Sequence, residues 1–119
     1  MIKSVKVGKI ELVNLTPHEI VLFSKDGTVT TIFPSGRVLR IDEKIVKEKE
    51  NDVKIVEKEF IPKEVSKFPK KENRYYIVSL PTLFFANRDD FIAPDTNFGA
   101  VRDQMGKIIG IKFFCKIKK

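Results

Sequence analysis

Four of the five arginines in this chain, Arg37, Arg40, Arg88 and Arg102, lie in or beside short segments rich in turn-forming residues. The eighteen lysines are instead spread along the sequence. An arginine guanidinium offers five donors in a rigid fork that matches a carboxylate or a phosphate, whereas a lysine ammonium is a mobile point charge. The arginines therefore predict either recognition of an anion or structural ion pairs, and they name no reaction.

The clearest candidate for an anion site is the turn formed by Pro34, Ser35, Gly36 and Arg37. Gly36 can adopt a positive φ, so that successive backbone amides converge on an anion, and Arg37 with Arg40 would complete the grip. The alternative is an ordinary hairpin turn with exposed arginines. A single glycine is a weaker signal than a full phosphate-binding loop, which the sequence lacks.

Residues 84–90 combine two phenylalanines, an amide, a guanidinium and two carboxylates. A nucleobase could stack on an exposed phenylalanine while Asn87 reads its edge and Arg88 binds a phosphate. In the alternative interpretation both phenylalanines belong to the core, and Arg88 pairs with Asp90 or Asp103. This segment is therefore a second candidate for ligand binding.

His18 and Cys115 are the only histidine and the only cysteine, so a histidine-rich metal site is excluded and no internal disulfide can form. Cys115 follows two phenylalanines and is predicted to be a small buried side chain, which disfavours a Cys–His nucleophilic pair. His18 lies in a proline turn, where it either hydrogen-bonds to the protein or contacts a ligand. The cysteine usage favours an intracellular compartment.

Four aspartates, Asp89, Asp90, Asp95 and Asp103, could supply carboxylates for a divalent cation. Asp89 and Asp90 would share such a site only in a turn, because neighbouring residues of a strand point to opposite faces. A metal-dependent nuclease is usually marked by a clearer constellation. We therefore predict no metal site, no cofactor and no catalytic residue.

The composition is that of one folded domain over residues 1–119, with 42% hydrophobic and 33% charged residues. The net charge of +7 favours an anionic partner, such as a nucleotide, a nucleic acid or an acidic protein. The alternative is a lysine-rich, solvated surface. Because no apolar run is long enough to span a bilayer and no signal peptide is recognisable, we expect a cytoplasmic protein that does not bind membranes.

Alternating apolar and polar residues predict strands at residues 9–15, 19–23 and 28–33, with Asp26–Gly27 marking a tight hairpin between the last two. Residues 42–50 are ambiguous, because Glu43 and Lys47 would form an i,i+4 ion pair in a helix. We prefer an extended hairpin that bends at residues 50–52 and continues as a strand to residue 61. Residues 43–73 as a whole are interpreted as a lysine- and glutamate-rich surface hairpin or connection.

The second half of the chain begins with a buried strand at residues 75–80. Pro81 suits the first turn of a short helix through residue 87, because a proline there loses no helical hydrogen bond. Residues 91–95 are extended, and a turn at residues 103–106 precedes a strand at residues 107–117. The predicted fold class is mainly β, a compact antiparallel sandwich or a partly open barrel with one short helix.

The order of several motifs is that of a known family. These are Asn14–Leu15–Thr16–Pro17–His18, Pro34–Ser35–Gly36 with Arg40, Tyr76–Ile77–Val78–Ser79, Arg88–Asp89–Asp90, Pro94–Asp95, and residues 102–110 with Arg102–Asp103 and Gly106. In these segments the chain resembles a family of small uncharacterised proteins from bacteriophages and prophage-bearing bacteria. The resemblance spans nearly the whole chain and is weakest between residues 42 and 73.

The resemblance implies a small accessory protein that binds a host component, since some phage proteins of this kind inhibit antiviral defence by sequestering nucleotide signals. The leading hypothesis is therefore a non-enzymatic binding protein for an anionic ligand, a nucleotide-derived host immune signal, acting in the cytoplasm of the host cell. The predicted ligand-binding residues are His18, Ser35, Gly36, Arg37, Arg40, Ser79, Asn87, Arg88 and Arg102.

Three alternatives stay open. The lysine-rich surface could bind nucleic acid through its phosphates. Asp89, Asp90 and Asp103, with His18, could form the centre of a metal-dependent hydrolase or nuclease. The chain could instead have a structural role in virion assembly, as a homo-oligomer that associates through exposed strand edges.

Overall fold

The computed structural model describes residues 2–86 and 88–118. Within these ranges the chain forms eleven strands, one α-helix and one short 3₁₀ helix, with 45% of residues in strands and 8% in helices. The strands are β1 (Val5–Val7), β2 (Ile10–Asn14), β3 (Ile20–Phe23), β4 (Val29–Ile32), β5 (Ile41–Glu50), β6 (Lys54–Pro62), β7 (Arg74–Ile77), β8 (Phe91–Pro94), β9 (Ala100–Arg102), β10 (Ile108–Ile111) and β11 (Phe114–Cys115). The helices are α1 (Leu80–Phe85) and the 3₁₀ helix Val65–Lys67. The predicted mainly-β class with one short helix is confirmed.

A five-stranded sheet in the order β1-β2-β7-β8-β11 is the centre of the molecule. Its middle strand, β7, pairs in parallel with both β2 and β8, while the outer pairs are antiparallel. Tyr76 lies opposite Val13 of β2 and Phe91 of β8, and all three side chains are buried. The apolar character of β7 follows from this position, because a central parallel strand is covered on both faces.

A four-stranded sheet in the order β4-β3-β10-β9 packs beside it. The β3–β4 hairpin closes with the predicted Asp–Gly turn, in which the amide of Ser24 donates to the carbonyl of Thr28 and the Asp26 carboxylate accepts the Thr28 amide. β10 runs parallel to β3 and antiparallel to β9. This sheet is therefore mixed as well, with its parallel pair in the middle.

Alternation along the strands of the five-stranded sheet divides the core into two clusters. The first cluster packs against α1 and the loops beside it, and its buried residues are Val13, Leu15, Leu39, Phe68, Tyr76, Val78, Leu83, Ala86, Phe91 and Ala93. The second lies between the two sheets and consists of Leu12, Ile20, Leu22, Ile32, Ile77, Ile92 and Ile111. The protein is therefore layered, with the five-stranded sheet in the middle.

Among the residues that the structure describes, β5 and β6 pair only with each other and form a two-stranded ribbon, residues 41–62, which confirms the preferred hairpin. We call the remainder of the chain the body. The ribbon contains a bulge between Ile45 and Lys47, and nearly all its side chains are exposed. The radius of gyration of 16.7 Å exceeds the roughly 13.5 Å of a compact chain of this length, because the ribbon projects from the body.

The chain passes from the ribbon to β7 through a connection anchored by Phe68, which is buried in the first core cluster. After β7, Ser79 caps α1: its hydroxyl accepts the amide of Thr82, and Pro81 occupies the first turn as predicted. The helix ends at Phe85, so that Ala86, which the prediction included, follows it as the cap residue. These local features place α1 beside the base of the ribbon.

The predicted strand at residues 107–117 is interrupted in the structure. β10 ends at Ile111, the amide of Lys112 donates to the carbonyl of Gly99, and β11 begins at Phe114 on the other sheet. The break lets one stretch of chain supply an inner strand to one sheet and an edge strand to the other. No helix in the described part of the chain has the length and apolar character that crossing a membrane requires.

Candidate functional site

A cleft of about 510 Å³ lies between the base of the ribbon and α1. Its lining residues come from the segment before β5, the two ribbon strands and the first turns of the helix: Leu39, Arg40, Ile41, Asp42, Glu43, Phe60, Ser79, Pro81, Thr82 and Phe85. Two of the predicted ligand-binding residues, Arg40 and Ser79, therefore lie in the same cleft although they are far apart in sequence.

Phe60 of β6 and Phe85 of α1 form one wall of this cleft. Their rings stack with centroids 4.7 Å apart and planes at 24°, and both side chains are partly exposed. Aromatic faces of this kind accept a planar partner, because a nucleobase or another flat ring can stack on them. The contact also holds the ribbon against the helix.

The polar groups of the cleft are a guanidinium, two hydroxyls and two carboxylates. Asp42 pairs with Lys63 at 2.6 Å and Glu43 pairs with Lys58 at 2.9 Å, so both carboxylates are neutralised by a neighbouring lysine. Arg40, by contrast, forms no ion pair within residues 2–86 and 88–118. The cation of the cleft is thus available to a ligand.

Ser79 and Thr82 place two hydroxyls at the helix end of the cleft. Their oxygen atoms are 2.8 Å apart, and the Ser79 hydroxyl also accepts the Thr82 amide. Ser79 therefore has a structural role as the helix cap in addition to its position in the cleft. A hydroxyl pair of this kind can still donate one hydrogen bond to an acceptor of a ligand.

The turn at Pro34–Arg37 has the predicted positive φ at Gly36, 94°. Two of its amides, however, have partners within the protein. The amide of Ser35 donates to the carbonyl of Asn14, and the amide of Arg37 donates to the Ser35 hydroxyl. The turn is thereby braced by its own serine.

The guanidinium of Arg37 lies 4.7 Å from the centroid of the Phe68 ring. This is a cation–π contact with a buried aromatic residue. Arg37 follows the braced turn on the body, and it does not line the cleft that contains Arg40. The two arginines of this segment therefore have different surroundings.

The guanidinium of Arg88 contacts a carboxylate, a backbone carbonyl and two aromatic rings of the protein. It forms a two-pronged ion pair with Asp90, with Nε–Oδ1 and Nη2–Oδ2 distances of 2.9 and 2.6 Å, and Nη1 donates to the carbonyl of Val65. Its guanidinium also lies over the rings of Phe91 and Tyr76. The hydrogen bonds to Asp90 raise the pKa of Arg88. The pairing with Asp90 expected as the alternative for this arginine is present.

Arg102 extends across the hairpin between β9 and β10, where its Nη1 donates to the carbonyl of Gly106 at 2.6 Å. Asp103 in the same turn accepts the amides of Met105 and Lys107. Arg102 thus braces the turn through a backbone carbonyl rather than through an aspartate.

His18 is exposed, and its backbone carbonyl serves a buried hydrogen-bond hub formed by Asn14. The Asn14 amide nitrogen donates to the carbonyls of His18 and Ile32, at 2.8 and 3.2 Å, and its oxygen accepts the amide and hydroxyl of Thr16. Together with the bond from Ser35 to the Asn14 carbonyl, the hub joins the end of β2, the proline turn and the end of β4. The Asn–Leu–Thr–Pro–His segment is explained by this architecture.

The four aspartates considered as metal ligands are engaged separately. Asp89 pairs with Lys70, Asp90 with Arg88, and Asp95 and Asp103 accept backbone amides of their own turns. Among the residues that the structure describes, no three histidine, cysteine or acidic side chains are placed to hold a metal ion. Cys115 is half-buried, and burial raises the pKa of its thiol.

The structure thus brings Arg40 and Ser79 together and places His18, Ser35, Gly36, Arg37, Arg88 and Arg102 outside their cleft. Asn87 lies outside the described residues. Sequence reasoning missed Phe60 and Thr82 as cleft residues. The signal for Phe60 was present, since it is the single aromatic residue of a strongly charged strand.

Comparisons with protein-family models, with curated proteins and with solved structures found no match to this chain.

Proposed function

We propose that this chain is a non-enzymatic binding protein for a planar anionic ligand, which it holds in the cleft between the ribbon and α1. The observation that carries the proposal is the presence of Arg40 without an ion pair in the described chain, beside the Phe60–Phe85 stack. A guanidinium and an aromatic face are the two groups that bind the phosphate and the base of a nucleotide.

The cleft also supports a ligand of limited size. Its volume of about 510 Å³ lies within the range of about 300–1,000 Å³ that is typical of small-molecule sites. The neutralisation of Asp42 by Lys63 and of Glu43 by Lys58 reduces the repulsion that these carboxylates would exert on an anion. The ligand that we propose is a nucleotide or a compact nucleotide derivative.

In the biological setting that the phage resemblance implies, the ligand would be a nucleotide-derived host immune signal and binding would sequester it. Sequestration requires affinity alone and no turnover. The same assignment therefore agrees with the separate engagement of the aspartates, which leaves the candidate carboxylates in different ion pairs and turns.

The test is thermal unfolding of the protein with a panel of cyclic mononucleotides, cyclic dinucleotides and ADP-ribose derivatives. A ligand present at about 100 times its dissociation constant stabilises the folded state by about 2.7 kcal/mol, which gives a clear rise in Tm. Arg40→Ala should abolish the rise caused by the active compound. Arg37→Ala is the matched control, because it removes an exposed arginine outside the cleft.

Two results would overturn the proposal. One is the absence of a stabilising compound across the whole panel. The other is a stabilising compound whose effect survives Arg40→Ala but is lost in Arg37→Ala, which would place the ligand at the Pro34–Arg37 turn.

Nucleic-acid binding is the second candidate, and the distribution of charge favours it. The ribbon carries five lysines and seven acidic residues, a net charge of −2, so that the body must carry +9 to give the chain's net charge of +7. A basic body would bind nucleic acid through phosphates with an affinity that falls steeply with salt. Filter binding of single- and double-stranded DNA and RNA at several salt concentrations tests this, and no retention at the lowest salt would remove it.

A further inference from the structure

One face of the ribbon and the adjacent side of α1 carry apolar side chains that the chain itself leaves uncovered. Alternation along β5 and β6 places Ile45 and Val56 on the same ribbon face as Phe60, because Phe60 pairs with Glu43 and the residues between them alternate. On the helix, Leu80 and Phe84 lie four residues apart and therefore form one stripe. Leu80, Phe84 and Ile45 are 42%, 57% and 51% exposed, and Val56 is half-buried.

The two apolar surfaces cannot cover each other within one chain. The ribbon meets α1 at Phe60, whose ring stacks on Phe85. Ile45 and Val56 lie roughly 7 and 14 Å further toward the ribbon tip, from two and four residues at about 3.4 Å each. Leu80 and Phe84 occupy a side of the helix next to the one that faces the cleft, which is lined by Pro81 and Phe85.

An isolated two-stranded ribbon has only marginal stability in water. The ribbon of this protein extends beyond the body, and its edges have no strand partner within the described chain. The exposure of its apolar residues to water adds a further unfavourable contribution to the free energy of the ribbon. A partner that covers this face would therefore stabilise the ribbon.

We propose that the partner is a second copy of this chain. In the symmetric dimer, the outer part of each ribbon, with Ile45 and Val56, covers the Leu80–Phe84 stripe of the other copy. The interface is isologous, since each chain supplies one ribbon and one helix and the two contacts are equivalent.

Charge favours this arrangement over contact between two ribbons. Each ribbon has a net charge of −2 and each body a net charge of +9. A ribbon is therefore attracted to the body of the other copy, while two ribbons repel each other weakly. The many lysines and glutamates on both ribbon strands also disfavour edge-to-edge pairing.

The available area is consistent with a dimer of modest affinity. A half-exposed large apolar side chain contributes roughly 100 Å², so the four side chains of the ribbon face and the helix stripe together offer at most roughly 400 Å² per copy. A standard interface uses about 800 Å² from each partner. The charged residues around the apolar patch would supply the remaining polar rim.

Sedimentation equilibrium of the full chain without ligand tests the proposal. We expect a monomer–dimer equilibrium that weakens as salt is raised. Phe84→Glu and Ile45→Glu should each weaken dimerisation by more than roughly thirtyfold, as a hot-spot substitution does. Met105→Glu is the control, because Met105 is 91% exposed in a hairpin on the body and should leave the dimer intact.

A disulfide experiment separates this dimer from other assemblies and avoids disruptive substitutions. Ile45→Cys and Phe84→Cys are made in separate chains that also carry Cys115→Ala. Mild oxidation of the mixture should crosslink one variant to the other, much faster than either variant crosslinks alone. A monomer at every concentration, a dimer unaffected by both glutamate variants, or preferential Ile45→Cys self-crosslinking would each overturn the proposal without bearing on ligand binding.

Discussion

Replacing the buried Asn14 tests whether one amide holds three segments of the body together. The side chain is 1% exposed and makes four hydrogen bonds, to the carbonyls of His18 and Ile32 and to the amide and hydroxyl of Thr16. Asn14→Ala removes all four, so that the Ile32 carbonyl and the Thr16 amide lose the Asn14 side chain as partner, while the His18 carbonyl keeps the Thr16 hydroxyl at 3.1 Å. We expect a large loss of stability and no loss of secondary structure in the fraction that folds.

The magnitude follows from the number of groups that lose a partner. Each hydrogen bond contributes a net of about 0.5–1.5 kcal/mol, and a buried group left unsatisfied costs about 1–3 kcal/mol. Because solvent and small rearrangements compensate part of this, we expect a loss of about 3–5 kcal/mol. That is a large share of the roughly 5–15 kcal/mol by which a domain is normally stable.

The assay is urea unfolding followed by circular dichroism. With a slope of about 2 kcal/mol per molar urea, the expected loss lowers the midpoint by about 1.5–2.5 M. Asn97→Ala is the matched control, because the Asn97 side chain is exposed and forms no hydrogen bond within the described residues. Its free energy of unfolding should stay within about 0.5 kcal/mol of that of the parent protein.

A companion substitution separates the hub from a simple cavity effect. Thr16→Val removes the hydroxyl that contacts the Asn14 oxygen at 2.7 Å and keeps the size of the side chain. In a double-mutant cycle the losses of Thr16→Val and Asn14→Ala should be less than additive. Additive losses, or an Asn14→Ala midpoint equal to that of Asn97→Ala, would refute the reasoning.

Three further predictions concern stability. Arg88→Lys should lower the free energy of unfolding by about 1–3 kcal/mol in the same assay, because a lysine cannot reproduce the two-pronged bond to Asp90; a change below about 0.5 kcal/mol would contradict this. Gly110→Ala should destabilise by about 1–3 kcal/mol in thermal unfolding, because the added methyl group would lie 2.6 Å from the carbonyl oxygen of Val21 and collide with the Phe23 ring. The hydrogen bond from Arg74 lowers the pKa of Glu11, so this pair adds stability above about pH 4.3 that is lost as the pH falls through the lowered value. The check is to measure urea midpoints from about pH 3 to about pH 7, a range that spans the titration of glutamate. The midpoint should depend less on pH in Glu11→Gln than in the parent protein.

Elements with a strong local pattern were predictable from the sequence. The β3–β4 hairpin follows from an Asp–Gly pair between two β-branched runs, and the first turn of α1 follows from Pro81. The ribbon was the preferred interpretation of residues 42–61 although its charges also suited a helix. In each case residues close in sequence determine the structure.

The pairing of the sheets was not predictable, because it depends on residues that are distant in sequence. The apolar sequence of β7 predicts a buried strand, but no residue near it in the sequence specifies that it pairs in parallel with β2 and β8. The break after Ile111 was missed for a similar reason. It depends on the amide of Lys112 bonding to Gly99, and the apolar run through residues 108–117 hides it.

In the candidate site, too, local features were predictable from the sequence and contacts between distant segments were not. The turn residues Ser35 and Gly36 were correctly recognised as a turn, and the structure shows how the serine braces it. The meeting of Arg40 with Ser79 depends on how the ribbon base packs against α1, which no local pattern encodes. The assignment of ligand-binding residues therefore stays a prediction that binding experiments must test.

The order of the inner strands has a consequence for how the chain reaches its native state. The ribbon joins neighbouring segments and can close on the microsecond scale of a hairpin. The body cannot close so early, since β2 must wait for β7 about sixty residues later and β3 must wait for β10, which is built from residues 108–111. During synthesis the nascent chain should therefore show an early, protease-sensitive arm and acquire its protected core only when its last strands have left the ribosome.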